Sequence, residues 1–272
     1  MESQLETPLF DRLPSGLRLT SAGELLFDDI VRWQKEFTRA RERLDDLKGL
    51  KREQVDIAMI DAVSERPIPL ALSALGREQP QLTFGLHVVS NQAVAEQVAA
   101  GEVDFGLMFN PTEGAALAVR ALVEIPLGVA MPTDHPMAGS ESLSLSAVLD
   151  SHQLLPAAPL IVNDAASALY LRHGIDPEQL SHCDDIRLMR TLIRSGTGVG
   201  ILSLLDVLPD IHDQRIAFAP LKGYQYRSLA LALCVPPPTD EGGTGRYKSH
   251  FKSARAVNLI MVARVVNDAA MP

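Results

Sequence analysis

The chain has 272 residues, about two domains' length at ~150 residues each, and its 46% hydrophobic and 22% charged content excludes disordered and fibrous classes. The net charge of −9 falls wholly on residues 53–272, because the first 52 hold ten basic and ten acidic residues; an acidic body has no general attraction for phosphate, so any DNA contact falls to the N-terminal piece. Two distant cysteines, Cys183 and Cys234, exclude a disulfide scaffold and a cysteine zinc site, and the lack of a signal peptide or a long apolar run leads to the expectation of a soluble cytoplasmic protein without membrane contact.

A loop-like stretch with Pro8, Pro14 and Gly16 precedes a helix expected from Ser21, where Ser21 and Glu24 have capping-box spacing. Leu26, Ile30, Trp33, Phe37, Ala40, Leu44 and Leu47 then alternate spacings of four and three, and Gly49 is a natural stop. A helix that long, about 42 Å at 1.5 Å per residue, with one narrow apolar stripe, calls for a partner helix. Beyond it the pattern changes to strands alternating with helices, the signature of a parallel α/β sheet. VDIAMI (55–60), LTFGLHVV (82–89) and VDFGLMF (103–109) read as strands, separated by helices over 67–78 and 91–100. Residues 117–131 read as two strands broken at Pro126. The alternation restarts with a strand at Leu160–Val162, helices over 165–173 and 185–195, and a strand at 199–204. LALALCV (229–235) is a further strand, 236–245 a loop, and an amphipathic helix is expected over 247–266. The simplest topology has two lobes: lobe I from about 53–126 and 236–272, lobe II from about 127–235.

No HExxH, GxSxG or P-loop occurs, so neither an enzyme nor a metal or cofactor is expected. SGTGVG (195–200) follows a helix and precedes a strand, the reverse of a dinucleotide fingerprint, and reads as a helix cap and turn. His182, Cys183 and Asp184 read as structural, since neighbours on a strand face opposite ways. Tyr224 and Tyr226 read as an exposed strand. What remains is a cleft argument, because parallel α/β lobes bind ligands beyond the carboxyl ends of their strands. There the chain places Asp61, Ser64, Ser90, Asn91, Asn110, Asn163 and Asp164. The same residue types also cap helices, so either role fits each one.

LETPLFDR (5–12) followed by LRLTSAGELL (17–26) resembles the wing and linker-helix start of the LysR-type transcriptional regulators. Looser matches follow in the family's order: GEVDFGLM (101–108), DHPM (134–137) with SLSLSAVL (142–149), and SGTGVGILS (195–203). The resemblance implies a remnant winged helix-turn-helix at 1–20, with Arg12 and Arg18 on DNA backbone. It implies a linker and dimerisation helix at 21–49, paired through Leu26, Ile30, Trp33, Phe37 and Leu44, and hence a homodimer or homotetramer. It implies an effector-binding domain at 50–272 with the type 2 periplasmic-binding-protein fold, a small-molecule effector meeting Asp61, Ser64, Asn91, Asn110 and Asn163. Asp61 departs from the small or hydroxyl residue usual there and disfavours a simple anionic effector. Family members carry a recognition helix ahead of this Met1, so the chain reads as N-terminally truncated, binding DNA only with that helix restored. The alternatives are a small-molecule binder or a dimerisation partner with no DNA function of its own.

Overall fold

The alternation expected after Gly49 is present from Gln54 onward in the computed structural model, which describes residues 2–5, 7–13, 16–27, 29, 30, 33, 37, 54–112, 117–222 and 228–236. The chain divides into two units, Met1–Glu53 and Gln54–Pro272. In the first, a short helix α1 (Glu2–Leu5) precedes an antiparallel hairpin of β1 (Phe10–Leu13) and β2 (Gly16–Leu19), in which Asp11 lies opposite Arg18. Helix α2 is described at 21–27, 29, 30, 33 and 37. Its cap is Thr20 rather than Ser21: the Thr20 hydroxyl accepts from the Gly23 amide (3.1 Å), and Ser21 is already helical, which a cap residue cannot be. Gly23 also passes so close to Leu9 that a Cβ there would stand 2.1 Å from its carbonyl oxygen. The remainder of the heptad stripe, with Leu44, lies outside the described residues, as do Tyr224, Tyr226 and the helix expected over 247–266.

In the second unit, β3 (Gln54–Met59), α3 (Asp61–Ser64), α4 (Pro67–Glu78), β4 (Thr83–Val88), α5 (Asn91–Ala99) and β5 (Phe105–Phe109) follow in order. Strand β3 pairs in parallel with both β4 and β5. Proline at the first position of α4 needs no hydrogen-bond partner there, and the Ser90 hydroxyl caps α5 by accepting from the Ala93 amide. Helix α5 sits directly on β5, where a Cβ at Gly106 would come within 2.6 Å of both Val94 and Val98. Only glycine lets helix and sheet approach that closely.

Residues 118–132 form one strand, β6 (Ala118–Pro132), not two. Its first part, through Pro126, pairs with β11 (Ser228–Val235); from Leu127 on it pairs with β9 (Val199–Ser203) and β10 (Ile216–Pro220). Pro126 stands where the ladder changes partner, so its missing donor interrupts no continuous run of hydrogen bonds. With β7 at Gln153–Pro156 and β8 at Ser181–Cys183, the order is β4-β3-β5-β11-β6-β9-β7-β8, with β10 also on β6. Two expectations are corrected here. Strand β11 belongs to the sheet of lobe I, antiparallel to β5, so the chain returns to that lobe before Ser228 rather than near Pro236. Leu160–Val162 is not a strand: the strand is β7 (Gln153–Pro156), and Val162 opens α6 (Val162–Arg172), burying its side chain as a helix residue.

Lobe II is completed by β8 (Ser181–Cys183), α7 (Ile186–Arg194) and α8 (Leu204–His212). Helix α7 ends in a Schellman turn: Gly196, at φ +76°, donates to Ile193 and Thr197 donates to Leu192. That accounts for Gly196 of SGTGVG; at Gly198 a Cβ would stand 2.4 Å from the His152 carbonyl oxygen, and at Gly200 2.4 Å from the Met189 side chain. One apolar core runs through both lobes, and Tyr170 is its largest fully buried side chain. The Tyr170 hydroxyl donates to Gln153 Oε1 (2.8 Å), while the Gln153 amide donates to the Val148 and Ser151 carbonyls. Burial pushes the hydroxyl pKa upward, so it stays a donor. Tyr170→Phe keeps the ring and strands Gln153 Oε1, and is expected to cost about 1–3 kcal/mol. A urea titration checks this through a lower midpoint at an unchanged slope.

Candidate functional site

The carboxyl ends of β3, β4 and β5 are tied level with one another. The Ile60 amide donates to Leu107 (3.1 Å) and the Val89 amide to Met59 (3.0 Å), so the turns that follow share one edge of lobe I. Asp61 and Ser64 are the two ends of α3, and the Ser64 hydroxyl donates to the Asp61 carbonyl at 2.8 Å. Both side chains are partly buried. Asn91 acts as a surrogate strand residue, its amide donating to the Phe109 carbonyl (2.9 Å) and its oxygen accepting from the Phe109 amide (2.8 Å). Asn110, at φ +44°, exchanges hydrogen bonds with Ala230: its backbone N–H donates to the Ala230 carbonyl and its side-chain Oδ1 accepts from the Ala230 backbone N–H, both at 2.8 Å. The structure therefore gathers Asp61, Ser64, Asn91 and Asn110 at one edge. Asn163 is on lobe II, in the first turn of α6, donating to the Pro156 carbonyl at the end of β7 (2.7 Å).

Strands β7, β8 and β9 are parallel, so Ser203 at the end of β9 shares that edge of lobe II. Ser203 caps α8 in a reciprocal box: its hydroxyl accepts from the Asp206 amide (3.3 Å), and Asp206 Oδ2 accepts from the Ser203 amide (3.0 Å). Helices α3 and α8 touch, bringing the polar edges of the two lobes against each other. Burial pushes the Asp206 carboxyl up to about 6; its bonds from Ser203 and the Arg190 charge pull the other way, and Asp61 adds to the rise. A cluster of charge joins α7, α8 and the turn after α3. Arg190 donates to Asp210 Oδ2 (2.5 Å) and Glu65 Oε1 (2.8 Å), and Arg194 to Asp210 Oδ1 (3.0 Å). Burial alone would weaken the Arg190 charge, but its bonds to Asp210 and Glu65 more than offset that and raise its pKa.

Sequence reasoning had not singled out Ser203, Asp206, Glu65, Arg190 or Asp210. The S-x-x-D spacing of Ser203 and Asp206, directly after an apolar strand, is a signal that was there to be used. The ion cluster left none, because its members come from α7, α8 and the α3–α4 turn. Elsewhere, Arg18 lies 3.6 Å from Asp11 across the hairpin. On α2, Leu26 is partly buried, while Ile30, Trp33 and Phe37 are exposed. Among the described residues no three His, Cys, Asp or Glu side chains are placed to hold a metal, and no helix is long and apolar enough to cross a membrane.

The profile of the LysR substrate binding domain matches residues 48–241. The RuBisCO operon transcriptional regulator of Allochromatium vinosum is 23% identical over 233 residues, covering 84% of this chain and 75% of the relative. An OxyR mutant of Corynebacterium glutamicum superimposes with a TM-score of 0.65 at 20% identity, covering 98% of this chain and 80% of that one. The regulatory domain of CcmR from Synechocystis, solved in complex with 2-PG, gives 0.59 at 17% identity over 76% of this chain and 99% of that one. These likenesses carry the two-lobed effector-domain fold, and the profile, which spans most of the chain, carries the family. The chain belongs to the LysR-type transcriptional regulators.

Proposed function

We propose that a small polar effector binds between the two lobes and that its binding, with no catalytic step, is what this regulator senses. The observation that carries the reading is the meeting of α3 and α8: the carboxyl ends of both parallel strand sets, each edged with polar groups, converge there. The relative solved with 2-PG supports a small-molecule occupant for this fold. Asp61, Ser64 and Asn163 are assigned to the effector, while Asn91 and Asn110 shape the site by fixing the end of β5. With Asp206 beside Asp61, the site disfavours a bare anion.

Pairing of two chains is assigned to α2, whose stripe leaves Trp33 64% and Phe37 74% exposed. Contact of Arg12 and Arg18 with DNA backbone belongs to the same reading, and Arg18 then exchanges Asp11 for phosphate.

In a metabolite screen by thermal unfolding, a true effector at a hundredfold excess over its Kd should stabilise the chain by ~2.7 kcal/mol. Ser64→Ala and Asn163→Ala should weaken that response, and hits indifferent to both substitutions would place the site elsewhere. Asp206 generates a pH prediction. Its folded pKa, about 6, lies above the ordinary 3.8, so the folded state binds the proton more tightly and stability from this group is lost as pH rises from about 4 through 6. Asp206→Asn keeps both Ser203 bonds without the charge. Its unfolding temperature relative to the parent chain should climb between pH 4 and 6 and level off above; a difference flat with pH would refute this. In sedimentation, the parent chain is expected as a dimer or tetramer at micromolar concentration. Trp33→Asp with Phe37→Asp should shift it toward monomer, since each large apolar side chain contributes ~1.5–3 kcal/mol when buried.

A further inference from the structure

Helix α3 runs without a break into the turn Glu65–Arg66 and then α4. Both residues of this turn reach from lobe I to lobe II. Glu65 Oε1 accepts from Arg190 Nη1 on α7 at 2.8 Å, and Arg66 Nη2 stands 3.2 Å from His212 Nδ1 at the end of α8. We propose that Glu65 and Arg66 form a releasable clasp that holds the two lobes together.

The asymmetry of the charge cluster is what makes the clasp releasable. Arg190 is 9% exposed and Asp210 2%, so breaking their mutual bond would strand a charge in the interior. Glu65 is already 37% exposed, so its carboxylate returns to water when the lobes part. Arg190 then still holds Asp210, Asp210 still holds Arg194, and no buried charge loses its last partner. Arg66 and His212 meet near the surface and separate on similar terms. The tie is thus built to exchange between protein and water, unlike the sequestered Tyr170–Gln153 bond. Because Asp61 and Ser64 immediately precede the turn, a ligand that displaces α3 also displaces the clasp. That coupling rests on the effector reading; the clasp itself does not.

Hydrogen exchange on the full chain without any ligand tests the clasp separately from the effector. Glu65→Gln is expected to raise exchange in α3 and α8 about two- to fivefold, the factor appropriate to a partly exposed ion pair, with β9 and α6 unchanged. Arg66→Gln should act in the same direction, and the double variant should exceed either. In 1 M salt the parent chain should approach Glu65→Gln. Unchanged exchange in α3 and α8 in both variants would overturn the proposal. So would an equal rise through β9 and α6, because that marks general loosening rather than parting of the lobes.

Discussion

Both lobes are built on one strand. Residues Ala118–Pro126 of β6 complete the sheet of lobe I, and Leu127–Pro132 seed the sheet of lobe II. A continuous backbone allows the two halves to twist about Pro126 but not to slide apart, so the polar ends of the two strand sets must lie near each other. A site made of short turns on separate strands has precision only if the strands themselves are fixed. Asn91 and Asn110 do this for lobe I by substituting side-chain amides for missing ladder partners at the end of β5.

The charges near the cleft are unequal in their support. Asp210 takes bonds from two guanidiniums, which satisfies it deep in the lobe. Asp206 has the hydroxyl and amide of Ser203 and the Arg190 charge against the cost of desolvation, but no guanidinium bonded to it, and a second carboxylate, Asp61, adds to the rise. Removing one partner from the first group would leave an uncompensated charge, a far larger penalty than the pair's net contribution. For Asp206, burial raises the pKa to about 6, so the carboxyl holds its proton to higher pH than an exposed aspartate does. Two carboxylates four residues apart on α8 therefore have different bonding partners, two arginines for Asp210 and a capping serine for Asp206.

Much of the architecture was legible in the residues. Helices α4 and α5 carry clear apolar spacing with Pro67 and Ser90 at their starts, and both lie within a residue of their expected ends. Helix α8 was not legible, because Pro209 inside it reads as a break. Strand β7 was missed because four residues ending in proline give too short a period to register, and Leu160–Val162 next to it mimics a buried strand. Pro126 misled in the other direction, since a strand that changes partners at a proline looks like two strands. For the candidate site, Asp61 and Ser64 showed themselves as polar residues after an apolar run. The ion cluster did not, because pairing across lobes is a property of the tertiary fold and leaves no local pattern.

The position of β11 bears on how the molecule is made. It lies between β5 and β6, yet it is synthesised well after both. At about 5–20 residues per second, β5 waits roughly 6–25 s for the neighbour that covers its edge. During that interval the strands of lobe II, contiguous in sequence, leave the ribosome and can condense on the far half of β6. The edge of β5 meanwhile stays open to any passing strand, the hazard that unpaired edges always carry. Among the described residues, closure of the lobe I sheet thus waits for the last strand in the sequence, and a nascent chain stalled before Ser228 lacks the strand that joins β5 to β6.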